Sequence, residues 1–487
     1  MRTILKFILI TLLLLLPVVL ITNLGVIQPS YYHIIINQIY NTVIIVLSVC
    51  FITTIVGVTL SWVFAIYDFP FKNSLEKIII LGMVFPSYVL AFFYSEMFNI
   101  FGSIALIGTL VVTTLPYVFM MVTTSIRIQS QRMVESALMF GKDKRWIKGK
   151  LILPLIFPTI VLSTLLVMGD TFSEFGATYF YGVNTVMTGI YEIWFGLNES
   201  IQGIRLSAWL LTVVIMVYLV INVLKKVFVD KSDNFINSRE FKGIVVENIG
   251  IKGWFITFLI FLLTIITFFI PCFVLLTWVI ESYNKTDWFK VLATTINSGI
   301  LASIISLSVL CVTTIILYLF KHRLVAIMTI CNTLYSIPGI VLAITTIFIS
   351  THLPLSFTPV IFLYVLIVKY IAIGVDNISA PIQKIHKQHY HSSKLLGHSS
   401  LWYIKNVQFP LGFQIYLVAG LLVWIDVIRE LVIGLTIRPQ GLNLLSIEIF
   451  RFMDLEQLSM SGPWILSMVI LTMVPIYFIN MVLKQNR

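Results

Sequence analysis

Two pairs of carboxylates, Asp170 with Glu174 and Asp426 with Glu430, stand four residues apart in stretches with little other charge. On a helix that spacing puts both members of a pair on one face. A charge at the centre of a bilayer costs about 2.5 to 3.5 kcal/mol on an insertion scale, so the pairs are expected to avoid lipid. Two chemistries are open to them: structural salt bridges, for instance with Arg429, or transient oxygen contacts with a hard cation. The pairs lie 16 to 20 residues beyond Pro154 and Pro410. At about 1.5 Å per residue that is roughly 24 to 30 Å of helix, which puts them near the outer surface. A second cluster, His386, His389, His391 and His398, reads as a metal site or, in the reading preferred here because no cysteine accompanies it, as polar loop residues. Glu96 is expected at an interface. Cys50, Cys272, Cys311 and Cys331 lie in apolar runs without a CxxC, so disulfides and structural zinc are not expected.

The elements that carry these groups follow from composition. Of 487 residues, 59% are hydrophobic and 11% charged, against roughly 25% charge in soluble domains. Mean hydropathy is +1.00. Runs of about 20 apolar residues recur from end to end, so the chain is an all-α polytopic membrane protein. Apolar runs near 7–23, 41–66, 78–97, 104–124, 155–175, 206–224, 254–280, 297–319, two within 324–368, 411–428 and 463–483 bring the expected spans to about 12. The first carries basic Arg2 and Lys6 but no small-residue cleavage site, so it reads as an uncleaved span.

Sidedness accounts for the net charge of +11. With this topology 25 of the 32 Lys and Arg fall on the side of the termini, and both termini are therefore expected in the cytoplasm. The basic charge is topogenic, and nucleic acid drops out as a partner; the lipid bilayer is the surrounding partner.

Sliding the chain by 256 residues aligns Asn41 with Asn297, Gly141 with Gly397, Trp146 with Trp402, Pro154 with Pro410, Asp170 with Asp426, Glu174 with Glu430 and Glu192 with Glu448. Pro86 and Pro338 match at 252, so a small insertion intervenes. These identities predict two parallel six-helix repeats. Residues 1–228 form the first lobe, 229–252 a polar cytoplasmic linker and 253–487 the second lobe. In both halves the segment before the fifth span, residues 135–158 and 391–410, reads as a short helix, a glycine break, a basic amphipathic stretch and a proline opening the next helix.

This elbow resembles the cytoplasmic loop of the permease subunits of binding-protein-dependent ABC importers, with its E-A-A, three residues, glycine and distal proline. Glu135, Ala137, Gly141 and Pro154 fit the pattern, with Ser136 at the first alanine. The second copy keeps Gly397 and Pro410 but has His391, Ser392 and Ser393 where E-A-A is expected. The chain is also similar over most of its length to fused ferric-iron uptake permeases, with thiamine permeases as near neighbours. The iron-type features are the stretch from Gly169 to Leu197 and an E-L, hydrophobic run, R-P segment comprising Glu430, Leu431, Arg438 and Pro439.

The resemblance implies that two copies of an ATP-binding subunit grip the two elbows, and that an extracytoplasmic substrate-binding protein delivers the cargo, with Arg438 meeting an acidic patch on it. It implies location in a bacterial cytoplasmic membrane. This chain has no GxxxxGK[ST] loop, so ATP and Mg are expected to be used by the partner, and the chain itself is expected to hold no cofactor and to be no enzyme. The translocation path is expected to involve Asp170, Glu174, Asp426 and Glu430. Ferric iron is the expected cargo, with thiamine or another small solute as the alternative. A proton-coupled major-facilitator transporter, also two parallel halves, is the competing class; it would usually carry an arginine-rich loop where this chain has YDFPFKNSLEK.

Overall fold

The computed structural model describes residues 2–128, 137–143, 146–228, 247–248, 250–320, 323–352 and 359–485. The first half supplies α1 (Arg2–Thr22), α2 (Tyr32–Ile66), α3 (Lys72–Leu81), α4 (Ser87–Phe98), α5 (Ser103–Ile128), α6 (Leu153–Ser173), α7 (Gly176–Phe180), α8 (Val186–Tyr191) and α9 (Ser200–Phe228). The second half continues with α10 (Lys252–Thr264), α11 (Ile270–Ser282), α12 (Trp288–Leu319), α13 (Leu324–Tyr335), α14 (Gly339–His352) and α15 (Pro359–Leu395). It ends with α16 (Ser400–Tyr403), α17 (Phe409–Arg429), α18 (Val432–Ile437), α19 (Leu445–Asp454) and α20 (Gly462–Gln485). Among the described residues, strand pairing is confined to Tyr67–Asp68 alongside Glu247–Asn248. The chain is an all-α polytopic membrane protein: eight described helices are long and apolar enough to cross a bilayer, ten when each of two bent pairs counts as one. Two shorter apolar helices, Lys6–Thr22 and Ser200–Met216, accompany them.

The bent pairs refine the expected pattern. The run near 78–97 is not one straight span: the helices over Lys72–Val84 and Ser87–Phe98 meet at 102°. Its counterpart breaks at 92° between Ala326–Tyr335 and Gly339–Ser350. Pro86 lies at the first break and Pro338 at the second, because proline cannot donate the helical hydrogen bond and disfavours helix in the residue before it.

The chain divides into two compact units, one of Pro29–Gly189 with Met216–Thr277, the other of Met1–Gln28, Ile190–Ile215 and Trp278–Arg487. In the first, α2, α5 and α6 enclose an apolar core that includes Val49, Leu106, Leu110, Val118, Val122, Ile156 and Val167. Hydroxyls cross-link the same helices, Thr53 to Thr114 at 3.3 Å and Thr54 to Thr164 at 2.8 Å. Such small polar groups let helices approach where no water drives them together. Gly57 lets α2 and α5 pass closely, since a Cβ there would meet Val118 Cγ1 at 2.7 Å. In the second unit the corresponding crossing of α12 and α15 exchanges the partners: a Cβ on Gly374 would clash with Thr313 Oγ1. Thr313 and Gly374 stand 256 residues after Gly57 and Val118. One helix of each crossing must be bare, and the two halves have chosen opposite ones.

Candidate functional site: two elbows and two glutamate reversals

Both elbows are built by the same backbone bonds. Gly141 has φ +71° and Gly397 φ +79°, the left-handed region that favours glycine at a helix end. Lys142 N–H donates to Ala137 C=O at 3.0 Å, and His398 N–H to Ser393 C=O at 3.0 Å, the six-residue closure that ends a helix on glycine. The next turn is capped by Asp143, whose Oδ1 accepts from Trp146 N–H at 3.0 Å, and by Ser399, whose Oγ accepts from Trp402 N–H at 3.2 Å. π-helical turns, Ile147–Ile152 and Ile404–Gln408, then lead into α6 and α17, with Pro154 and Pro410 in their first turns. Sequence periodicity gave no sign of these π turns.

Immediately before each glycine an apolar pair stands out from the fold. Met139 and Phe140 are 89% and 82% exposed, and Leu395 and Leu396 are 89% and 75% exposed. Behind them the side chains differ: Lys142 Nζ lies 5.2 Å from the Trp146 ring centroid, whereas the His398 ring stacks on Trp402 at 3.6 Å. Glu135 and Ser136 lie outside the described residues. Ala137 is half-buried, His391 belongs to α15, Ser392 is exposed and Ser393 is buried. His389 is exposed, and among the described residues no group of three or more His, Cys, Asp or Glu could hold a metal ion.

The carboxylate pairs do not present themselves as simple one-face pairs. Asp170 is exposed on the last turn of α6, but Glu174 has left the helix with ψ 125°, and Glu430 leaves α17 with ψ 116°. Each glutamate caps the short helix that follows, since Oε1 of Glu174 accepts from Ala177 N–H at 2.9 Å and that of Glu430 from Ile433 N–H at 3.2 Å. The other oxygen reaches a bent pair or its surroundings. Ser87, first residue of α4, donates to Glu174 Oε2 at 2.6 Å. At the matching break stands Gly339, and Glu430 Oε2 instead accepts from Lys369 Nζ at 2.7 Å and Tyr370 Oη at 2.5 Å. A Cβ on Gly339 would lie 3.0 Å from Lys369 Nζ and 3.2 Å from Glu430 Oε1, so the ion pair presses on the break itself. The salt bridge of Glu430 is thus made with Lys369, while Nε and Nη2 of Arg429 are buried without a hydrogen bond among the described residues.

Beyond the glutamates the repeat slips by three residues. Asn41 Nδ2 donates to Asn184 C=O at 3.0 Å and Asn297 Nδ2 to Asn443 C=O at 3.5 Å; Thr42 and Ser298 accept from Val186 and Leu445 N–H, both at 2.9 Å. The partners are now 259 residues apart. The identity of Glu192 with Glu448 at 256 is therefore a coincidence. Their settings differ accordingly: Glu192 is exposed, while buried Glu448 binds Lys290 at 3.1 Å and Arg451 at 2.7 Å. The extra residues fall between α18 and Gly441, the stretch that holds Arg438, whose Nη1 donates to Leu442 C=O at 3.4 Å.

The chain matches the model of the family described as "Binding-protein-dependent transport system inner membrane component" over residues 57–237 and 317–486. It belongs to that family. The permease is similar to the Fe(3+)-transport system permease protein FbpB 2 of Haemophilus influenzae, with 21% identity over 458 residues, 90% of this chain and 88% of that protein. As a fused, two-lobed membrane component of an importer it is a translocation subunit and not an enzyme, and the major-facilitator alternative is overturned by the family match.

Proposed function

We propose that this permease imports ferric iron, received from an extracytoplasmic binding protein and driven by two copies of an ATP-binding subunit that use ATP and Mg. The observation that carries the coupling is the duplicated elbow: at each glycine an exposed apolar pair, Met139 with Phe140 and Leu395 with Leu396, is held out on a closed helix end. Exposed apolar side chains beside basic, capped turns suit burial in a partner's groove. Glu135, Ser136 and Ala137, with His391, Ser392 and Ser393, form the flanks of the two contacts. Pro154 and Pro410 transmit them into α6 and α17.

Twelve crossings, with both termini in the cytoplasm, fit eight long helices, two bent pairs and two shorter apolar helices. The lobes are 1–228 and 253–487, joined by the linker 229–252. Asp170, Glu174, Asp426 and Glu430 stand along the path, with Asp170 and Asp426 touching the cation while the glutamates hold the reversals. Arg438 meets the binding protein. The similarity to a permease named for Fe(3+) transport supports iron as the cargo.

The test is uptake of radiolabelled iron by cells that make the permease. Uptake should stop when ATP is depleted with the proton gradient intact, and an ATPase should copurify. Unchanged iron uptake in a deletion strain that loses thiamine uptake instead would replace iron with that cargo.

A further inference from the structure

We propose that Lys369 is a built-in counter-ion that closes Glu430 to the cargo, so that the second lobe cannot trap the cation it passes. The inference rests on the reading of this chain as a cation permease. Lys369 lies within the membrane-spanning segment Pro359–Ser379, and its side chain is 17% exposed against 8% for Glu430. An intramembrane charge is retained where it does a job, and its partner names that job. Here the ammonium sits 2.7 Å from Oε2, the place a hard cation would take on a buried carboxylate.

Both oxygens of Glu430 have further donors within the chain. Tyr370 Oη shares Oε2 with Lys369, and Ile433 N–H takes Oε1. Gly339 admits the ion pair because it has no side chain to displace it. One turn earlier on α17, the backbone oxygen of Asp426 lies 3.3 Å from Tyr370 Oη. Without Lys369, Glu430 lines a buried space as a carboxylate stripped of the ammonium at its Oε2. Such a space draws in a multivalent cation, because a buried carboxylate stripped of its partner is strongly unfavourable alone. A transporter gains nothing from a deep well on the route: conduction needs binding weak enough to leave.

Terbium(III), a hard trivalent probe, tests this on the purified permease, because Tyr370 would sensitise its luminescence when the ion sits on Glu430. Wild type and Lys369→Arg should give no saturable Tyr-sensitised signal. Lys369→Met should gain one, with an apparent Kd roughly tenfold or more tighter than any wild-type binding, and Lys369→Met/Glu430→Gln should lose it. Lys369→Gln, which keeps a hydrogen-bond donor without charge, is read in the same way if the methionine variant does not fold. A rise in the unfolding temperature of the charge-deleted variant on adding terbium should accompany the signal. No gain on charge removal, equal binding by wild type, or a gain that survives Glu430→Gln overturns the counter-ion role. The readout needs no transport, so a permease that proves to carry another solute would fail the iron uptake test while this result stands or falls by itself.

Discussion

The two glutamate reversals, at Glu174 and at Glu430, share a backbone and differ in chemistry. Each glutamate ends a long helix in extended conformation and caps the next helix three residues on. In the first half the oxygen left over takes a hydroxyl from Ser87; in the second it takes an ammonium and a phenol, from Lys369 and Tyr370. The geometry that turns the chain is therefore independent of which side chains donate to the acid. A duplicated membrane protein can keep the turn in both halves while varying the side chains that donate to it.

Removing the ionic partner should have the largest effect. Lys369→Met leaves a buried carboxylate, and the loss of one member of such a pair costs about 3 to 5 kcal/mol. The variant should unfold at lower temperature in detergent, and Glu430→Gln in the same chain should restore most of the loss. Failure of the second substitution to restore it would break the pairing.

The helix crossings sharpen the same contrast between halves. Gly57→Leu overpacks against Val118 and should cost about 1 to 3 kcal/mol or more. Gly57→Thr together with Val118→Gly rebuilds the arrangement of Thr313 and Gly374 and should recover membrane levels that Gly57→Thr alone loses. Equal levels for the single and double variants, measured by quantitative blotting, would contradict the exchange of partners. The smallest of these effects belongs to Ser87→Ala, which removes one hydroxyl bond to Glu174 and should cost about 1 kcal/mol or a little more. A loss as large as that of Lys369→Met would erase the proposed difference between the reversals.

The fold class, the repeat at 256 residues and the two elbows were legible in the sequence, because hydropathy, glycine and proline report directly on membrane spans and helix ends. Gly141 and Gly397 were readable since few other residues tolerate their positive φ. The reversals were not. A four-residue spacing suggests a shared helical face only while the helix continues, and nothing local to Glu174 or Glu430 announces the extended ψ. The partner of Lys369 is 61 positions away and is brought to it by packing alone. The bends at Pro86 and Pro338 were hidden because hydropathy registers composition and is blind to direction. The slip from 256 to 259 is masked in the sequence because Glu192 and Glu448 happen to be the same residue type.

The central claim is that the two elbows couple ATP hydrolysis to import, and Gly141→Val addresses it most directly. Valine cannot adopt φ +71° without strain, yet open space surrounds the position, so the substitution strains the elbow with no clash against its neighbours. ATP-dependent iron uptake and copurification of the ATPase are measured together, at matched membrane levels of wild type and variant. The account predicts that uptake and ATPase retention both collapse; normal uptake with normal retention would contradict it.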